Sequence, residues 1–98
     1  MKRAYGALGL LAKALELVVA VVAVIIAAGV LLVVLEANPA NAIVEAILDA
    51  ARWLAGPFAD FFTLDDRKLE VAVNWGLALV VYVVAGRLVA NLLRRPGP

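Results

Sequence analysis

From Leu17 to Leu35 the chain runs for nineteen consecutive residues without a charge or a strongly polar group, and Val, Leu, Ile and Ala dominate it. As an α-helix such a run is about 28 Å long, close to the ~30 Å hydrocarbon core of a bilayer. As a strand it would far exceed the roughly 3 to 10 residues that strands of globular proteins use. The run therefore predicts a membrane-spanning helix, placed over about residues 14–36. A cleaved signal peptide is the competing reading, because Lys2 and Arg3 supply a basic start. Against it, the apolar stretch exceeds the usual ~7 to 15 residues, and Leu35-Glu36-Ala37-Asn38 stands where a small-x-small cleavage site would be needed.

A second apolar run, Val71 to Leu93, is interrupted only by Asn74, Arg87 and Asn91 and ends in Arg94-Arg95-Pro96-Gly97-Pro98, where charge and proline stop a helix. At about 34 Å it can cross a bilayer with some tilt, and the second span is placed over about residues 66–93. With 66% hydrophobic and 17% charged residues in 98, a water-soluble monomer could not hide so much apolar surface. The expected fold is all-α, a transmembrane helical hairpin forming one membrane domain.

Two spans put both termini on one side. Lys2, Arg3, Lys13, Arg87, Arg94 and Arg95 flank that side, against Arg52, Arg67 and Lys68 in the connector. Basic residues favour the cytoplasmic face, so both termini are expected in the cytoplasm of a bacterial plasma membrane. Apart from Glu16, every acidic residue lies between Glu36 and Glu70, which makes the connector acidic.

The connector, residues 37–70, is too long for a simple turn. Asn38-Pro39 reads as a helix start, and Ile43, Val44, Ile47, Leu48, Ala51 and Leu54 recur at helical spacing opposite Glu45, Asp49 and Arg52. This predicts a short interfacial amphipathic helix over about residues 39–55, ending near Gly56-Pro57, that lies flat on the membrane or covers the hairpin. Trp53, Phe58, Phe61, Phe62 and Trp75 are expected as interfacial anchors. Thr63-Leu64-Asp65-Asp66 matches a capping box at the start of the second span.

Cysteine, histidine and serine do not occur, and Thr63 is the only aliphatic hydroxyl. That removes the usual nucleophiles, the usual general base and the usual zinc ligands, so an enzyme is not expected and no cofactor is implied. The acids Asp60, Asp65, Asp66 and Glu70 raise a calcium site, but EF-hand spacing and its mid-loop glycine are missing and capping accounts for Asp65 and Asp66; no metal is expected. A net charge of +1 gives no global pull toward nucleic acid, which is not an expected partner.

Two features bear on association. Glu16 and Arg87 reach similar depth in an antiparallel hairpin and are expected to pair; the alternative is that each snorkels to the cytoplasmic interface. Ala20, Ala23 and Ala27 share a helical face with Glu16 and, with Gly76 on the second span, form stripes of small residues that permit close helix packing.

The order of a span, Asn38-Pro39-Ala40-Asn41-Ala42-Ile43-Val44, a short amphipathic helix, Gly56-Pro57-Phe58, an acidic turn and a second span resembles the YggT/YlmG family of small bacterial membrane proteins over Asn38 to Asp66. The chain lacks that family's basic run before its proline and its Asp-x-Ser-Pro lead into the second span. Ala51-Arg52-Trp53-Leu54-Ala55-Gly56-Pro57-Phe58 and Asn74-Trp75-Gly76 are also similar to small uncharacterised membrane proteins of high-GC Gram-positive bacteria. The first resemblance implies a role in envelope organisation without catalytic residues.

Other two-span classes fit less well. A proton-driven rotor ring needs a carboxylate near mid-membrane, where this chain has none. A stretch-gated channel of the large-conductance type would have a cytoplasmic helix after the second span. A holin shares the termini but has a shorter connector. The expectation is therefore a non-enzymatic protein of the lipid bilayer that acts by association, as a homo-oligomer or with another membrane protein. An oligomeric pore, channel or holin-like protein is the alternative.

Overall fold

A computed structural model describes residues 2–94, with side chains from residue 6 onward. Arg95 to Pro98 and the side chains of Lys2 and Arg3, which were counted for orientation, lie outside the described residues. The described chain is helical: α1 (Lys2–Val34), α2 (Ala42–Ala55), a 3-10 turn at Gly56–Phe58 and α3 (Arg67–Arg94). The first and last helices form an antiparallel hairpin, and α2 joins them. α1 begins about three turns before residue 14, because nothing from Lys2 onward interrupts a helix.

α1 stops without glycine or proline. Glu36 takes a left-handed φ of 55°, the Ala37 N–H donates to Leu32 O (2.9 Å) and the Glu36 N–H to Val33 O (3.1 Å). This is the Schellman arrangement, with glutamate in the position glycine usually takes. The conformation costs about 1 kcal/mol for a residue with a Cβ. Lys68 Nζ lies 2.9 Å from Glu36 Oε1, an ion pair that ties the end of α1 to the first turn of α3.

The start of α2 differs from expectation. The Asn38 side chain accepts from the Ala40 N–H (3.0 Å) and is spent on a turn, while Asn41 caps the helix, accepting from Ile43 N–H (2.9 Å) and Val44 N–H (3.3 Å). Asparagine favours its own local turn two residues on, which takes Asn38 and Pro39 out of the helix. A similar shift occurs at α3. Thr63 is exposed, and Asp66 accepts from the Lys68 N–H (2.9 Å), while Glu70 reaches back to the Leu64 N–H (2.9 Å). The cap sits directly before the helix, so Asp66 does what Thr63 was expected to do.

Of the two placements open to α2, the structure has the second: it packs against the hairpin. Ala51 and Ala55 are buried and Leu48 and Leu54 join the core, whereas Ile43 on the first turn is exposed. The core of Ile26, Ala51, Ala55, Val71, Trp75 and Ala78 sits at the connector end, where all three helices meet. Toward the termini, α1 and α3 pack alone through Ala12, Val19, Gly86 and Ala90.

Candidate functional site

Two polar constellations stand out in a chain that is otherwise apolar. The first lies toward the terminal end of the hairpin. Arg94 donates to both Glu16 carboxylate oxygens, from Nη1 to Oε1 and from Nη2 to Oε2 at 3.1 Å. Glu16 therefore pairs with Arg94 and not with Arg87, which corrects the expected pair. Helical side chains lean toward their own N-terminus. In an antiparallel hairpin Glu16 thus leans toward the chain ends and Arg94 leans back to meet it, while Arg87 leans away toward the connector.

Arg87 nevertheless shares a surface with Glu16. A groove of about 490 Å³ opens beside the seam, lined by Glu16, Val19, Ala20, Val83, Gly86, Arg87 and Asn91. The small Ala20 and Gly86 leave room at its wall, while the helices approach closely beside it: a Cβ built on Gly86 would come within 2.5 Å of a Val19 methyl. Ala20 is exposed at the groove, and Ala23 and Ala27 are half-buried along the same flank. The expected small-residue stripe thus borders the α1–α3 seam, which runs instead through Ala12, Val19 and Ile26 at seven-residue intervals. Gly76 has nothing within 4 Å of a built Cβ and is not a point of close approach; Gly29 is, meeting Ala51 Cβ at 2.5 Å and Trp75 Cζ3 at 3.0 Å.

The second constellation holds the connector. Asn74, 1% exposed, accepts from the Phe62 N–H (3.0 Å) and donates to Ala59 O (2.7 Å) and Phe62 O (2.9 Å). Tyr82 donates to Leu54 O (2.7 Å), a carbonyl in the last turn of α2 that has no partner within the helix. Two side chains of α3 thereby satisfy four backbone groups of the connector. Neither was expected in this role from the sequence. The available signal was that asparagine inside an apolar run needs partners for its amide.

The aromatic residues divide. Trp53 is 80% exposed, and Phe61 and Phe62 are exposed. Phe58 is half-buried, edge-on to Phe61 (5.4 Å between centroids) and to Tyr82 (6.2 Å). Trp75, expected as an anchor, is buried in the core, because only Gly29 leaves room on α1 for an indole. Of the acidic residues near α3, Asp66 and Glu70 are engaged in capping contacts, and among the described residues no group of three acidic side chains converges on a point that could hold a metal.

Gly6–Val34 and Arg67–Arg94 are each long and apolar enough to cross a membrane, and only 11% and 17% of their most apolar windows are buried, where the core helix of a soluble protein would be mostly covered. Comparison with family models, with curated proteins and with solved structures finds no match to this chain.

Proposed function

We propose that this is a non-enzymatic integral membrane protein of the bacterial plasma membrane that acts by association, as a homo-oligomeric structural or accessory component of the cell envelope. The observation that carries the reading is an uncovered apolar girdle on an ordered hairpin. Leu17, Val24 and Leu31 on α1 are 59 to 68% exposed, and Val80, Val84 and Leu88 on α3 are more than half exposed. Such surface is stable against acyl chains or another apolar helix, and costs about 25 cal/mol per Å² in water.

Association is supported by the flank of Ala20, Ala23 and Ala27 beside the groove, since small residues let helices approach where lipid gives no hydrophobic drive. The basic asymmetry supports cytoplasmic termini. The resemblance to the YggT/YlmG layout points toward envelope organisation. An oligomeric pore is the second reading, favoured by the exposed Glu45, Asp49 and Arg52 on α2, a polar face that copies around an axis would turn to water.

Native mass measurement in mild detergent tests the first reading: a discrete oligomer is expected, and a monomer across a range of protein-to-detergent ratios would refute it. Dye release from proteoliposomes separates the second, because a structural component leaves the vesicles sealed. Orientation is read with an impermeant maleimide in intact cells. A cysteine at Thr63 should label and one at Gly6 should not.

A further inference from the structure

We infer that the segment from Ala42 to Asp66 is re-entrant: α2 runs into the membrane from the Glu36–Lys68 side, turns at Gly56–Phe58 within the hydrocarbon, and returns to the same surface, presenting Trp53 to lipid acyl chains. This rests on the membrane reading above and extends it to a third element.

Depth is the first argument. Tyr82 lies about 16 Å beyond Val71, the first residue of the apolar run on α3, at ~1.5 Å per residue. Its side chain leans back toward the start of α3 and meets Leu54 O at 2.7 Å. The end of α2 is therefore on the order of 10 Å inside the apolar band. Gly29, about a turn and a half from the end of α1, contacts Ala51 at a consistent level.

The bilayer cannot be shifted to leave α2 outside. The uncharged run Leu17–Leu35 is about 28 Å long and only just fills a ~30 Å core. A shift of about 10 Å toward the chain ends would strand Leu31 (59% exposed), Val34 (40%) and Leu35 (73%) in water. It would also draw the Glu16–Arg94 pair and Lys13 into hydrocarbon.

Backbone accounting is the second, independent argument. Irregular backbone at membrane depth is tolerated only where its polar groups are satisfied internally or face water. The turn after α2 meets much of that demand. Gly56 N–H donates to Trp53 O, Ala59 N–H to Gly56 O and Phe61 N–H to Phe58 O, while Tyr82 takes Leu54 O and Asn74 takes Ala59 O and both polar groups of Phe62. A connector lying in water could leave these groups to solvent and would not need the buried Asn74 and the half-buried Tyr82 for this.

The charges agree with the placement. Arg52, the one cation on α2, reaches back one turn toward the surface to Asp49 (3.1 Å), as a snorkelling cation does. Asp60 follows on the returning limb beside Ala59, at the level of Asn74, about two turns nearer the surface than Tyr82.

The test uses full-length protein in phosphatidylcholine–phosphatidylglycerol vesicles, with single nitroxide labels on cysteines at Gly56, Leu31 and Thr63. Gly56 suits a label because nothing lies within 4 Å of its built Cβ. Relaxation by oxygen and by a water-soluble nickel chelate is measured at each site. The expected result is that Gly56 resembles Leu31, with oxygen access several-fold above nickel access, and that Thr63 shows the reverse. If Gly56 resembles Thr63 while Leu31 stays shielded, the re-entrant placement is wrong and the membrane hairpin stands. If Leu31 is also open to nickel, the membrane reading fails and the re-entrant placement with it. Trp53 fluorescence, isolated in a Trp75→Phe protein, gives a second measure: brominated acyl chains should quench it more than aqueous iodide, and the opposite order overturns the proposal.

Discussion

Gly29 and Ala51 stand so close that a Cβ added to the glycine would lie 2.5 Å from the alanine Cβ, with the Trp75 ring 3.0 Å away on the other side. Three helices meet at this point, and the smallest residue on α1 is what admits the largest residue on α3. Gly29→Ala should therefore destabilise the protein by about 1 to 3 kcal/mol through overpacking. Gly76→Ala, in open space on α3, should gain up to about 1 kcal/mol from helix propensity. Unfolding in mixed micelles reads both, and a stabilised Gly29→Ala protein would contradict the three-helix contact.

Asn74 carries the connector through three hydrogen bonds at 1% exposure. Asn74→Leu keeps the branching at the γ carbon and strands three backbone groups, at roughly 1 to 3 kcal/mol for each buried unsatisfied group. Asn74→Asp retains the acceptor for Phe62 N–H but loses both donated bonds, so it should also destabilise. Asn91→Leu, an exposed asparagine on the same helix, should be nearly silent. Limited proteolysis between Ala59 and Leu64 reports the difference directly, with cleavage expected to rise in both Asn74 variants and in no other.

How far this architecture is legible in the sequence follows from contrast. The two long helices announce themselves because their apolar runs are bounded by charge, and the end of α2 at Gly56-Pro57 because both residues break helices. Inside a span there is no such contrast. Val18 and Val19 are the same residue, yet Val18 is 58% exposed and Val19 packs on Gly86. Where nearly every position is apolar, periodicity cannot say which positions form the seam, and the stripe of alanines points to the flank. The caps were displaced by three residues for a different reason: Asn38 and Asn41, like Thr63 and Asp66, are both competent caps, and the turn between them decides. Asn74 and Tyr82 stand out as polar groups within an apolar run, but their partners are backbone groups, in the turn at Ala59 and Phe62 and at Leu54 O in the last turn of α2, which side-chain periodicity does not mark.

The ion pair at the terminal end was ambiguous in the same way, since Arg87 and Arg94 lie seven residues apart on one face of α3. Side-chain lean selects Arg94. A double-mutant cycle on Glu16→Leu and Arg94→Leu should show coupling larger than the cycle on Glu16→Leu and Arg87→Leu. The Glu16–Arg94 double variant should also recover part of the single-variant loss, because two apolar residues carry no desolvation cost. Equal coupling in the two cycles would mean that Glu16 exchanges between the guanidinium groups.

Ala20 separates the fold of one chain from the association of several. It is exposed at a groove of about 490 Å³ that α1 and α3 leave open on the flank away from α2. A leucine there projects into free space within a single chain, so Ala20→Leu should leave the unfolding midpoint in mixed micelles close to that of the parent. If a second copy lays a helix along this flank, the same leucine blocks the close approach that alanine permits. The oligomer expected in native mass measurement should then fall to smaller species, while Val18→Ala on the opposite, exposed face of α1 leaves it intact. Should Ala20→Leu assemble as the parent does, and Val18→Ala dissociate, the association surface lies on the other face of α1 and the groove beside Glu16 is open to lipid.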